Sequence, residues 1–144
     1  VSDWLEITQD RINQFAEGTN DHQFIHVDPE MAKSTPWGST IAHGFLTLSL
    51  LSYLSADNTV MPENMQMAIN YGLDKVRVLQ PILIDDGIRL RSHIGSLDVT
   101  AKGRGEYLLK TSHHIEVKEV EDHVMYAEYL TYGFPIPKQN SGND

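Results

Sequence analysis

The sequence predicts an α+β fold in which a curved antiparallel sheet wraps one buried helix. Three features carry that expectation. Helical periodicity is confined to the N-terminal part of the chain. Four long alternating stretches fill the rest. Between them lies a segment, 45–54, that is apolar nearly all round. A helix without a polar face is buried on all sides. This one is too short for a bilayer, which takes about 20 apolar residues. It therefore reads as a core helix around which the strands fold.

Taken in order, residues 3–7 suggest a short strand or lead-in. Thr8 looks like an N-cap for a helix over 9–16, in which Ile12, Phe15 and Ala16 form one apolar face, with Gly18 as its C-cap. Residues 19–27 have no sustained period and read as a loop carrying Asn20, Asp21, His22, Gln23, Phe24 and His26. Asp28-Pro29 is a cap followed by proline at the first helical position, which starts a short helix through about Lys33. The turn-rich run 34–39 leads to the central helix. Strands are expected over 65–79, 88–100, 105–118 and 123–134, with Gly72 as a bulge and a turn at 81–87. A polar tail begins at about residue 135 and is expected to fray.

Length and composition narrow the function. The 144 residues suggest a single domain. The absence of cysteine excludes disulfides, thiolate chemistry and Cys-rich zinc sites. A formal net charge of -9 argues against nucleic acid or an anionic membrane as the main partner. The first residues have no basic region followed by an apolar run, so the expectation is a soluble cytoplasmic protein. His113, His114 and His123 do not make a metal site, because adjacent residues of a strand point to opposite faces. No metal is expected.

The run Asp21-His-Gln-Phe-Ile-His26-Val-Asp-Pro, followed by Thr40-Ile-Ala-His-Gly-Phe-Leu, resembles the MaoC-like hydratase family, which holds the R-specific enoyl-CoA hydratases and the nodulation-protein-N-like proteins. The resemblance runs from about Trp4 to Phe134 and includes Asn70-Tyr-Gly-Leu-Asp-Lys-Val-Arg77. It implies a hot-dog fold, a sheet wrapped around one long central helix. The family commonly reads Asp-x-Asn-Pro-x-His. Here Gln23 and Phe24 replace the Asn-Pro pair, and an aromatic there is similar to the nodulation-N-like branch.

What the resemblance implies is reversible hydration of a trans-2-enoyl thioester to an (R)-3-hydroxyacyl thioester, with the substrate carried on coenzyme A and no separate cofactor. Such chemistry must hold and deprotonate a water, deliver a proton to C2 and stabilise an enolate oxygen. By resemblance, Asp21 and His26 handle the water and the proton. The other reading of these two residues is a turn cap and an ordinary satisfied histidine. Phe24 and Ile25 would anchor the loop in the core, and Phe24 would also contact substrate. Gly44 N–H is the family's oxyanion donor, which requires the helix to begin near His43. Close helix–sheet packing is the other reason for a glycine there. The resemblance has Ser52 orient Asp21, whereas a buried helical serine can equally bond the carbonyl four residues back. His43, at the helix start, reads as a hydrogen-bonding residue lining the substrate site. Lys75 and Arg77 share a strand face and would meet the coenzyme A phosphates or remain solvated. Two rival readings use the same fold: a non-catalytic acyl-thioester binder, and a thioesterase, which would want a carboxylate on the central helix, where 45–54 has none. The resemblance implies a homodimer joined edge to edge through its sheets, and a long unpaired edge strand invites such association.

Overall fold

The computed structural model describes residues 1–84 and 88–136, without the side chains of residues 88 and 89. Part of the expected turn, 85–87, and most of the expected tail, 137–144, lie outside the described residues.

A short strand, β1 (Leu5–Ile7), leads into α1 (Gln9–Thr19). Thr8 caps α1 as expected, its hydroxyl accepting from Arg11 N–H. The other end differs from expectation. Gly18 lies inside the helix, and Asn20, at φ 60°, is the left-handed cap. Asparagine is the one common residue besides glycine that takes this conformation readily. The expected loop contains a single helical turn, α2 (Phe24–Val27), followed by α3 (Pro29–Ala32), which Asp28 caps through its side chain.

The central helix is interrupted and less buried than the pattern implied. It comprises α4 (Gly44–Ser49) and α5 (Leu51–Ser55), with an irregularity at Leu50. The cause is local. Leu50 N–H is shared between the carbonyls of Leu46 and Thr47, and the Ser49 hydroxyl bonds back to Phe45 O at 2.6 Å. Back-bonding of this kind bends helices. The helical phase nevertheless survives the break. Leu46, Thr47, Leu50, Leu51, Leu54 and Ser55 are buried as one stripe, while Phe45 and Tyr53 are 73% and 68% exposed. The opposite apolar face is thus uncovered in the single chain.

Four strands follow: β2 (Met65–Val78), β3 (Ile88–Gly103), β4 (Glu106–Val117) and β5 (Met125–Pro135). All pairings are antiparallel, and the sheet order is β1-β3-β4-β5-β2. Period-2 alternation dictates which face is buried: β4 alternates intermediate and buried along most of its length. Its inward residues Ile115 and Val117 join Leu90, Met125 and Ala127 of the neighbouring strands against the leucines of the central helix. Register shifts flank Gly72, at Asn70/Gly72 and again at Leu73/Lys75, and bend β2. β2 is also a long edge, 14 residues, exposed along most of its length. Among the described residues, no helix is long and apolar enough to cross a membrane.

Candidate active site

Two irregular segments build the site, and both are irregular for backbone reasons. Asn20 ends α1 and turns the chain, leaving Asp21 exposed. The turn α2 then carries His26 inward until it is buried. The second segment, 40–43, runs beside it in extended form: Ile41 N–H donates to Ile25 O at 2.9 Å, and Ala42 N–H to Ile82 O at 2.9 Å.

The tautomers of the two imidazoles follow from their partners. A backbone carbonyl only accepts, so His26 Nδ1 donates to Ile41 O at 2.7 Å, and the His26 lone pair sits on Nε2. By the same logic His43 Nε2 donates to the backbone oxygen of Asp21 at 3.0 Å. His43 Nδ1 is buried without a partner. The rings stack at 3.9 Å between centroids, 24° from parallel, and Phe15 lies against His43. Burial pushes the His26 pKa down. The bond to Ile41 opposes this, His43 reinforces it and Asp21 opposes it. His26 is therefore a neutral imidazole with one free lone pair.

The Asp21, His26 and His43 side chains bring one polar atom each within 4.8 Å of one another. Stacked rings place their lone pairs in nearly parallel planes, a poor arrangement for holding one ion between them, so no step below uses a metal.

Gly44 is the first residue of α4, with His43 as the preceding cap. Its N–H therefore has no partner within the helix. A Cβ at this position would meet Val78 Cγ2 at 3.1 Å. The glycine thus both exposes a donor and admits β2. Arg77 immediately precedes Val78, which brings the end of β2 to the site. Among the described residues Arg77 bonds only the Val76 carbonyl, and Lys75 Nζ lies 5.7 Å from the Tyr126 ring centroid.

Two expectations require correction. Phe24 does not anchor the loop in the core, because it is 38% exposed. Anchoring falls instead to the backbone bond between Ile25 and Ile41. Ser52 makes no hydrogen bond to Asp21 among the described residues. Its hydroxyl faces the Tyr129 hydroxyl at 2.9 Å, and Tyr129 in turn bonds the Asn70 amide. Eight helical residues separate Ser52 from Gly44, a rise of about 12 Å. Nor does Ser52 bond back along the helix; Ser49 and Ser55 do.

Gln9 is a residue that motif reasoning missed. Its amide nitrogen donates to His26 O at 2.7 Å, and its oxygen accepts from Thr40 Oγ1 at 2.6 Å. A glutamine in the first turn of a helix carries no sequence signal for such a role. The histidines further along fall on opposite faces, as strand geometry requires. His113 is buried between Ser92 Oγ at 2.9 Å and Thr111 Oγ1 at 2.7 Å. His114 packs beside His123 on the outer face.

Comparison with known proteins agrees with this geometry. Residues 1–118 match the family model described as MaoC like domain. The chain is 42% identical over 115 residues to 3-hydroxyacyl-thioester dehydratase Z of Mycobacterium tuberculosis, covering 80% of this chain and 76% of that protein. It is 41% identical over 122 residues to nodulation protein N of Rhizobium leguminosarum bv. viciae, covering 84% and 73%. Among solved structures, the unliganded R-hydratase of Pseudomonas aeruginosa superimposes with a TM-score of 0.67 at 18% identity, over 94% of this chain and 80% of that one. That likeness concerns the fold. With the sheet, the paired segments and the match over most of its length in agreement, the chain belongs to the MaoC-like dehydratase family.

Proposed function

We propose that this protein is an (R)-specific enoyl-thioester hydratase, interconverting a trans-2-enoyl thioester and its (R)-3-hydroxyacyl counterpart. The observation that carries the reading is the open Nε2 of a neutral, buried His26 whose ring brings a nitrogen within 4.8 Å of an Asp21 carboxylate oxygen. In the hydration direction the pair holds a water against C3. Its oxygen bonds to C3, and the proton it releases to Asp21–His26 returns to C2 on the same face. The enolate oxygen formed meanwhile is stabilised by Gly44 N–H. Phe24 and His43 line the acyl thioester. Coenzyme A carries the substrate, with Lys75 and Arg77 toward its phosphates, and the reaction needs no separate cofactor.

The site is completed by a second copy. β2 is an unpaired edge, and Met67, Ile69, Tyr71 and Leu73 on it are exposed together with Phe45 and Tyr53 of the central helix. An apolar edge of this length invites pairing with its own two-fold mate. Ser52 lies on the same uncovered side of the helix, so it reaches an Asp21 only across that two-fold.

Spectrophotometric hydration of crotonyl-CoA and longer enoyl-CoAs tests the activity. Asp21→Asn and His26→Ala should each lower kcat by about 10²–10⁴ while leaving the fold intact. More than half of the activity retained in either variant would sink the assignment. No turnover at any chain length, with tight acyl-CoA binding, would favour the non-catalytic binder instead.

A further inference from the structure

Gln9 opens α1, and nothing in the hydration step itself calls for it. Its side-chain amide is nevertheless fully engaged. Nε2 donates to His26 O at 2.7 Å and to Asn13 Oδ1 at 2.9 Å, while Oε1 accepts from Thr40 Oγ1 at 2.6 Å. The amide orientation is dictated, because the backbone oxygen of His26 requires the NH₂ side.

The segment it grips is fixed from the far side. Thr40 is buried, and its carbonyl accepts Ile84 N–H at 2.8 Å. The next residue, Ile41, supplies the carbonyl that selects the His26 tautomer. One side chain therefore spans α1, the His26 backbone and the residue adjoining the tautomer-selecting carbonyl.

We infer that Gln9 is a positioning residue of the active site, a clamp that holds His26 against the 40–41 segment so that Nδ1–H stays on Ile41 and Nε2 stays free. The lever is short. If the His26 backbone drifts from Ile41, Nδ1 loses its acceptor, and the proton is free to occupy either nitrogen. A His26 protonated on Nε2 cannot take a proton from water there. Misplacement of a catalytic group by about 1 Å can cost on the order of 100-fold in rate.

The kinetic arm of the test rests on the hydratase reading; the spectroscopic arm does not. Nitrogen-15 imidazole spectra of the full chain report the His26 tautomer directly, with Thr8→Ala as a control that weakens the same helix through its cap without touching the amide of Gln9. Wild type should show a single Nδ1–H form. Gln9→Leu should show a mixture of tautomers, with kcat for crotonyl-CoA at least about tenfold lower and KM within about twofold. Thr40→Val, which releases the other end of the clamp, should reproduce this. Gln9→Glu keeps the acceptor for Thr40 but loses the donor to His26, and should give a mixed tautomer as well. These two carry the test if Gln9→Leu does not fold. Thr8→Ala should keep the wild-type tautomer and kcat.

A single unchanged tautomer in Gln9→Leu or its stand-ins would overturn the inference. So would the same tautomer mixing in Thr8→Ala at an equal loss of melting temperature. If the wild-type chain hydrates no enoyl thioester, the functional reading fails, and the tautomer alone still decides the role of Gln9.

Discussion

His26 and His113 are both buried imidazoles held by hydrogen bonds, and burial pushes the pKa of both down. They differ in what their second nitrogen does. His113 is satisfied at both ends, by Ser92 and Thr111, inside a regular sheet. His26 is satisfied at one end only, on a loop, beside a carboxyl and a second imidazole. Full satisfaction rigidifies a core and leaves no group free for chemistry. A half-satisfied histidine is a costlier way to build a fold, and it retains a lone pair for a substrate. Burial and a lowered pKa do not tell these two histidines apart; the open valence does.

The largest structural effect expected concerns the proposed two-fold assembly. Ile69→Glu, in the middle of β2, would place a charge on the exposed edge. Light scattering should return about 33 kDa for wild type, twice the 16.3 kDa chain, and about half that for the variant. Activity should fall with the dimer, because Ser52 then reaches no Asp21. A fully active wild-type monomer would overturn both the interface and the shared site.

Next in size is the sheet histidine. His113→Ala removes the partner of two buried hydroxyls and leaves a cavity, which should cost about 2–4 kcal/mol in denaturant unfolding. A loss no larger than that of an ordinary surface substitution would contradict its reading as a satisfied core group.

A smaller effect is the response to acid. The His113 pKa is lowered from 6.5 to about 4 by burial, with a further push from His114. The unfolded chain therefore takes up this proton first. Stability from this group is complete above the unfolded value of 6.5 and is lost as pH falls through about 4. His26 and His114, whose values are also lowered, act in the same direction. Urea unfolding between neutral pH and about pH 4 should be less steep in pH for His113→Gln than for wild type. Equal slopes would show that His113 does not titrate in this way.

Much of this contrast was legible in the sequence, for reasons that differ by region. The strands were readable because alternation such as Leu90, Ser92, Ile94 has a short period and one face turned to the core. The approach of Asp21 to His26 and the helix start at Gly44 were readable through a local motif. The uncovered face of the central helix was not. Periodicity marks Phe45 and Tyr53 as apolar, and a residue covered by a second copy looks the same as one covered by its own core. The Tyr129 partner of Ser52 was not legible, because a motif records spacing along the helix and not which strand approaches it. The Gln9 bonds went unseen because they depend on a tertiary approach by Thr40, 31 residues away.

The most direct test sets the two histidines against each other in one assay. His26→Gln and His113→Gln are compared for the kcat of trans-2-enoyl-CoA hydration, each corrected for the folded fraction. His26→Gln should lose at least about 100-fold with little change in melting temperature. His113→Gln should melt earlier while keeping kcat within about twofold of wild type per folded molecule. Comparable loss of kcat in both, or activity retained in His26→Gln, would contradict the assignment of catalysis to the open nitrogen of His26.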